Sequence, residues 1–270
     1  MICHLKAEVM TYRYIVCLLV FSISNSLVSS VFSAEARIAV ASNFRETALS
    51  ISELLEEGSN HQFRVIAGST GKLASQIING APFDVLMAAD PQRPALLVDK
   101  GLASRDSIRP YARGRLGLWW PNGPRGPYLS ALGALDPRQV CIANPAFSPY
   151  GQATEHVAYS AGLSHEWIGK TMRVDNINLV TAMVSKGYAE AGFVALSTIR
   201  SAARLGHLSI DEDDIFWMEG YPPILQTMIL LRNGSRNPAA KYWTDQMHSS
   251  AVEQIILRDG YTIPDGRETL

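Results

Sequence analysis

Four places in the chain set small polar residues after a short apolar run and before a helix-like pattern: Ser42-Asn43, Ser69-Thr70, Tyr150-Gly151 and Asn176-Ile177-Asn178. A strand running into a helix leaves the first backbone N–H groups without intrahelical partners, at the end carrying partial positive charge. Side-chain hydroxyls and amides beside those N–H groups extend the donor set, and an anion is what such a set binds. The sharpest example is Val65 to Leu73 (VIAGSTGKL), where an apolar run turns through Gly-Ser-Thr-Gly into a helix. Each corner alone reads first as an ordinary helix cap. Two in each half of the chain read together as a site for a dianion held by neutral donors, a chemistry that suits a carrier because it also lets go.

The same residues exclude several enzymatic readings. Gly68 to Lys72 resembles the tail of a nucleotide-binding P-loop, but the first glycine is absent and Leu73 stands where a magnesium-binding hydroxyl belongs. Ser69 lies in G-S-T-G rather than G-x-S-x-G, so there is no nucleophile elbow. His61, His156, His165, His207 and His248 show no metal-ligand spacing. Residues 211–214 (DEDD) lack the alternation and glycine of a calcium loop and read as a solvated acidic turn. Asp84 and Asp90 bound one strand and read as caps. Lys72 reads as a surface charge at a helix start, or as electrostatic help for the anion. Trp119-Trp120 reads as core and cleft lining, since a net charge of −1 gives no field for nucleic acid.

The elements that must position the corners alternate. Strands are expected at Arg37 to Ala41, Gln62 to Ala67, Asp84 to Ala89, Arg115 to Trp120, Val140 to Ala143, Ala191 to Ala195 and Thr227 to Leu231. Helices are expected after Ser42 or Asn43, at Leu73 to Ile78, from Asp90-Pro91 to Gly101, at Gln152 to Ala161, after Asn176, from a Ser197 cap toward Arg204, and at Ala239 to Leu257. Trp167 to Met172 reads as helical or irregular. This rhythm predicts an α/β fold with two lobes, each a mostly parallel sheet flanked by helices, joined by two crossover segments. The expected division is residues 37–113 plus 225–264 for lobe 1 and 114–224 for lobe 2, with 265–270 as a tail. Ligands in such sheets lie beyond the carboxyl ends of the strands.

Residues 1–36 read as a cleavable signal peptide: an apolar run at Tyr14 to Ile23, preceded by Lys6 and Arg13, leading to an A-x-A site at Ala34-Glu35-Ala36. Met10 opens a more typical leader than Met1, and Cys17 lacks the setting for lipid attachment. Cleavage leaves Cys141 as the sole thiol, so stability rests on a core rather than disulfides. Hydrophobic residues at 47% and charged residues at 18% are enough for that core.

Several strings resemble one family. Ala39 to Phe44 (AVASNF), Gly68 to Leu73 (GSTGKL), Gln76 to Asp84 (QIINGAPFD), Ala88-Ala89-Asp90 and Arg258 to Pro264 (RDGYTIP) are similar to the periplasmic molybdate-binding proteins of ABC transporters. The resemblance runs from Ile38 to Pro264. It implies the type II periplasmic-binding-protein fold closing on a tetrahedral oxyanion, with molybdate or tungstate as cargo and no cofactor. Molybdenum would be held as its oxyanion, with no direct protein ligand to the metal. By motif, the first lobe supplies Ser42 and Asn43, then Ser69 and Thr70, with the main donor of the second pair left open. The second lobe supplies Tyr150 and the backbone N–H of Ile177. Some members carry a tyrosine on the strand matching Gly192 to Ala195, and here that position is Ala195. The resemblance further implies a periplasmic monomer, not an enzyme, that binds no nucleic acid and serves a membrane permease and its ATPase. Hinge bending is expected near Ala112 to Arg115 and Tyr221 to Leu225. The alternatives are the same fold with sulfate or phosphate, an exported α/β hydrolase or transferase, and the effector domain of a transcription regulator.

Overall fold

The computed structural model describes residues 33–124, 128–210 and 214–264. The apolar leader up to residue 32, most of the acidic turn 211–214 and the tail 265–270 lie outside the described residues.

The first sheet has the order β2-β1-β3-β10-β4. Its strands are β1 (Glu35–Ala41), β2 (Gln62–Gly68), β3 (Val85–Ala88), β4 (Arg109–Gly114) and β10 (Ile224–Leu230). The second has the order β7-β6-β8-β5-β9, from β5 (Leu116–Trp119), β6 (Val140–Ala143), β7 (Met172–Val174), β8 (Ala191–Ala195) and β9 (Ile215–Trp217). Each sheet is mixed: three strands run parallel, and two more join antiparallel. The parallel character read from the sequence belongs to β1–β3 and β6–β8. The strands returning from the crossovers supply the antiparallel part.

Helices cover both faces, so the central strands are apolar on both sides; every residue of β3, β6 and β8 is buried. Period-2 alternation splits β1 between two cores. Ile38 and Val40 face one with Phe44, Met87 and Trp243; Ala39 faces another with Leu73, Leu86 and Ile229. Each such fully buried Ile or Leu side chain contributes about 1.5–3 kcal/mol.

The helices are α1 (Arg45–Glu57), α2 (Thr70–Ile78), α3 (Gln92–Asp99), α4 (Tyr128–Ala134), α5 (Pro149–Ser160), α6 (His165–Gly169), α7 (Ile177–Ser185), α8 (Leu196–Arg204), α9 (Pro238–Gln246) and α10 (Ser250–Arg258). The single closing helix expected over Ala239 to Leu257 is two, because Ser249 accepts from the Val252 N–H and starts a new helix. The helix expected over Gln152 to Ala161 starts earlier, at Pro149, where the missing proline N–H costs nothing. Neither Ser42 nor Asn43 caps α1: they form a 3₁₀ turn, Ser42–Phe44, ahead of it. Ser197 does not cap α8 either. It lies in the first turn and donates to the Asn43 carbonyl at 3.2 Å.

β1 begins at Glu35, paired with Gln62, so the stretch read as the end of the leader holds the first rungs of a sheet. β4 runs to Gly114 and β10 starts at Ile224. One crossover is therefore a single residue, Arg115, and the other is residues 218–223.

Candidate functional site

The carboxyl ends of β1 and β2 lead into Ser42-Asn43 and Ser69-Thr70; those of β6 and β7 lead toward Tyr150 and Ile177. All six residues are buried. Three contacts bring the corners together across the lobes. The Gly71 N–H, in the first turn of α2, donates to the Phe147 carbonyl at 2.9 Å, just ahead of α5. Lys72 Nζ lies 2.5 Å from Asp175 Oδ2, just ahead of α7. The 3₁₀ turn Ser42–Phe44 packs on α7 and α8. The lobes are closed on each other.

The corner side chains are used differently. Thr70 Oγ1 accepts from the Ala89 N–H at 3.2 Å, which ties the start of α2 to the end of β3. Ser69 Oγ is enclosed and has no hydrogen-bond partner among the described residues. Ser69 stands at the N-cap position of α2 with an extended backbone (φ −69°, ψ 140°), yet makes no capping bond. A buried hydroxyl left unpaired costs roughly 1–3 kcal/mol, so Ser69 Oγ has a hydrogen bond to give to a water or a ligand. In the second lobe, Asn176 Oδ1 accepts from the Leu179 N–H at 3.2 Å and Ser148 Oγ from the Gly151 N–H at 3.3 Å. Those are ordinary caps.

The Asn43 amide is engaged in a buried network. Its Nδ2 donates to Tyr261 Oη at 2.9 Å and Gln226 Oε1 at 3.0 Å, with Tyr150 Oη at 3.5 Å. Tyr261 Oη donates back to the Asn43 carbonyl at 2.8 Å. Tyr111 Oη lies 3.0 Å from Gln226 Oε1. Burial pushes the phenols of Tyr111, Tyr150 and Tyr261 up from their ordinary values, so all three stay neutral. Tyr150 Oη accepts two long bonds, at 3.5 Å each from Asn43 and Gln226, and the Ser197 hydroxyl stands beside it. It also fixes Gly114, where an added Cβ would lie 2.0 Å from that oxygen.

Gln226, Tyr111 and Tyr261 are the site residues that sequence reasoning missed. A signal existed for one: a glutamine inside the apolar run ILQTMIL of β10, fully buried, needs partners. Asn178, part of the fourth corner, lines a recess of about 210 Å³ together with Asn43, Thr181, Thr198 and Ser201.

No Lys or Arg is among the six corner residues, and no cluster of His, Cys, Asp or Glu that could hold a metal ion occurs among the described residues. Asp90 is buried, and desolvation raises its carboxyl although Arg93, 3.0 Å away, pulls the other way. An open groove of about 680 Å³ runs beside the 222–225 segment and is lined by Asp90, Gln152 and His156. It holds none of the six corner residues. The enclosed corners, with an unpaired donor, make the better ion site.

A family model described as bacterial extracellular solute-binding protein matches residues 36–262. The molybdate-binding protein ModA of Rhodobacter capsulatus is 33% identical over 232 residues, 85% of this chain and 88% of that protein. ModA of Azotobacter vinelandii is 33% identical over 235 residues, 85% of this chain and 90% of that protein. The solved structure of the Azotobacter vinelandii periplasmic molybdate-binding protein superposes with a TM-score of 0.75 at 26% identity, over 85% of this chain and 100% of that one. With two five-stranded mixed sheets, two crossovers and polar corners between the lobes, this chain belongs to the bacterial extracellular solute-binding protein family, in the type II periplasmic-binding-protein fold.

Proposed function

We propose that this protein captures molybdate between its lobes and delivers it to the permease and ATPase subunits of an ABC transporter. The observation that carries the reading is the enclosed Ser69 hydroxyl, unpaired at the start of α2, with the second lobe closed over it. Ser69, Ser42 and Tyr150 act as hydroxyl donors, and the N–H of Ile177 donates from the start of α7. Asn43 acts mainly by fixing Tyr150. Thr70, whose oxygen already serves Ala89, orients the corner and is the lesser donor.

Every group in this set donates. Molybdate, tungstate and sulfate are fully deprotonated at neutral pH and match it; a protonated phosphate wants an acceptor as well. Hydrogen bonds to a charged acceptor contribute about 1.5–3 kcal/mol each, and a closed cleft shields them from water. Cavity size then separates the larger oxyanions from sulfate. Tungstate is carried with molybdate. The protein works as a periplasmic monomer, exported by a cleaved leader, and needs no cofactor. It catalyses no reaction: the 33% identical relatives are named as binding proteins.

Titration calorimetry on refolded, anion-free protein tests the reading. Molybdate and tungstate should bind with sub-micromolar Kd, and sulfate and phosphate at least a hundredfold more weakly. Sulfate binding as tightly as molybdate would sink it.

A further inference from the structure

Lys72 is not explained by an oxyanion site built from neutral donors. It sits in the first turn of α2, on the first sheet, and its ammonium lies 2.5 Å from the carboxylate of Asp175, which belongs to the second. The same ammonium lies over the Phe147 ring, 5.5 Å from its centroid. Next to it, the Gly71 N–H donates to the Phe147 carbonyl. An added Cβ at Gly71 would lie 3.0 Å from Phe147 Cα, so the two backbones meet without room to spare. Every one of these contacts joins one lobe to the other, so opening the cleft must break all of them together.

We propose that Lys72 and Asp175, seated by the Gly71–Phe147 contact, are the latch of the closed cleft and set how fast the anion leaves. They are positioning residues, since neither is needed to touch the ion. The inference rests on the oxyanion reading above for its main test. Both side chains are largely exposed, at 42% and 60%, so the pair is screened by salt. An exposed pair of this kind changes a rate by about two- to fivefold, and the ring contact adds to it.

Electrostatic steering by Lys72 would act differently. It would lower the association rate in Lys72→Met and raise it in Asp175→Asn, because the two substitutions change the charge in opposite directions. A latch makes both variants release faster. Stopped-flow release of molybdate at low ionic strength should therefore give a dissociation rate about fivefold higher in Lys72→Met and in Asp175→Asn. The Lys72→Met/Asp175→Asn double variant should be no faster than either single one, and the swap Lys72→Asp/Asp175→Lys should recover part of the loss. The differences should shrink toward none in 1 M salt. Unchanged dissociation rates, opposite shifts in association, or fully multiplicative effects would overturn the latch.

If the unaltered protein binds none of the four oxyanions, the functional reading fails, and the latch is then read without a ligand. Hydrogen exchange at the Gly71 amide should be faster in Lys72→Met than in the unaltered protein. Equal exchange would overturn the latch on its own.

Discussion

In the second lobe, Asn176 and Ser148 turn their side-chain oxygens back onto the first turns of α7 and α5. In the first lobe, Ser69 holds the equivalent place at α2 and leaves its hydroxyl unspent. The Ser69 and Asn176 corners each follow a strand, precede a helix of nine residues and are built from small polar residues. The difference lies in where the oxygen goes. A cap stabilises the helix and leaves the anion only backbone donors. An unspent hydroxyl forgoes roughly 1 kcal/mol of helix stability and keeps a donor for the ligand. In the proposed site the first lobe would present side chains to the ion, and the second Tyr150 and a helix end.

The contrast can be broken most directly at the unspent Ser69 hydroxyl together with the proposed Ser42 donor. Ser42→Ala combined with Ser69→Ala should weaken molybdate binding by at least about a hundredfold, from two lost bonds to a charged acceptor. The thermal midpoint of the anion-free protein should hold or rise. Calorimetry and a melting scan read both, and a fallen midpoint with intact affinity would make these serines structural.

Gly114→Ala tests the phenol of the second lobe. The new methyl meets Tyr150 Oη, and overpacking of this kind costs about 1–3 kcal/mol. Urea unfolding should show that loss, and molybdate affinity should drop with it.

Asn176→Ala sharpens the comparison from the other side. It should cost about 1 kcal/mol of stability in urea unfolding, as lost caps do, and change affinity less than about threefold. An affinity loss as large as that of the serine pair would erase the distinction between the lobes.

The smallest effect is on pH. Burial raises the Cys141 thiol to about 12 and lifts the phenols of Tyr111, Tyr150 and Tyr261. Above the ordinary thiol and phenol values the folded chain holds more protons than the unfolded one. The stability from these groups is therefore complete at neutral pH and is lost as pH rises through the alkaline range. Melting scans should be flat around neutrality on their account and fall above about pH 9.

Much of this was legible before the structure. Strands covered on both faces, such as Val140–Ala143 and Ala191–Ala195, stand out as unbroken apolar runs. The anion corners stand out because glycine and hydroxyl residues follow such runs directly. The short strands Met172–Val174 and Ile215–Trp217 do not: three residues at a sheet edge, partly exposed, carry no period. Arg109–Gly114 hides behind a proline, two arginines and a glycine, which only an edge strand tolerates. The network of Asn43, Gln226, Tyr111 and Tyr261 was illegible for another reason. Its members come from positions 43, 111, 226 and 261, and only the folding of the first lobe brings them within hydrogen-bond distance.

The single-residue crossover at Arg115 has a mechanical consequence. A joint this short has no slack to slide or stretch, so a swing of the lobes at this crossover would pivot at the end of β4. Points on the pivot hardly travel during a swing, and points far from it travel most. Tyr150 rests against Gly114, beside that pivot. A swing about that joint would therefore shift its phenol far less than the serine side of the cleft.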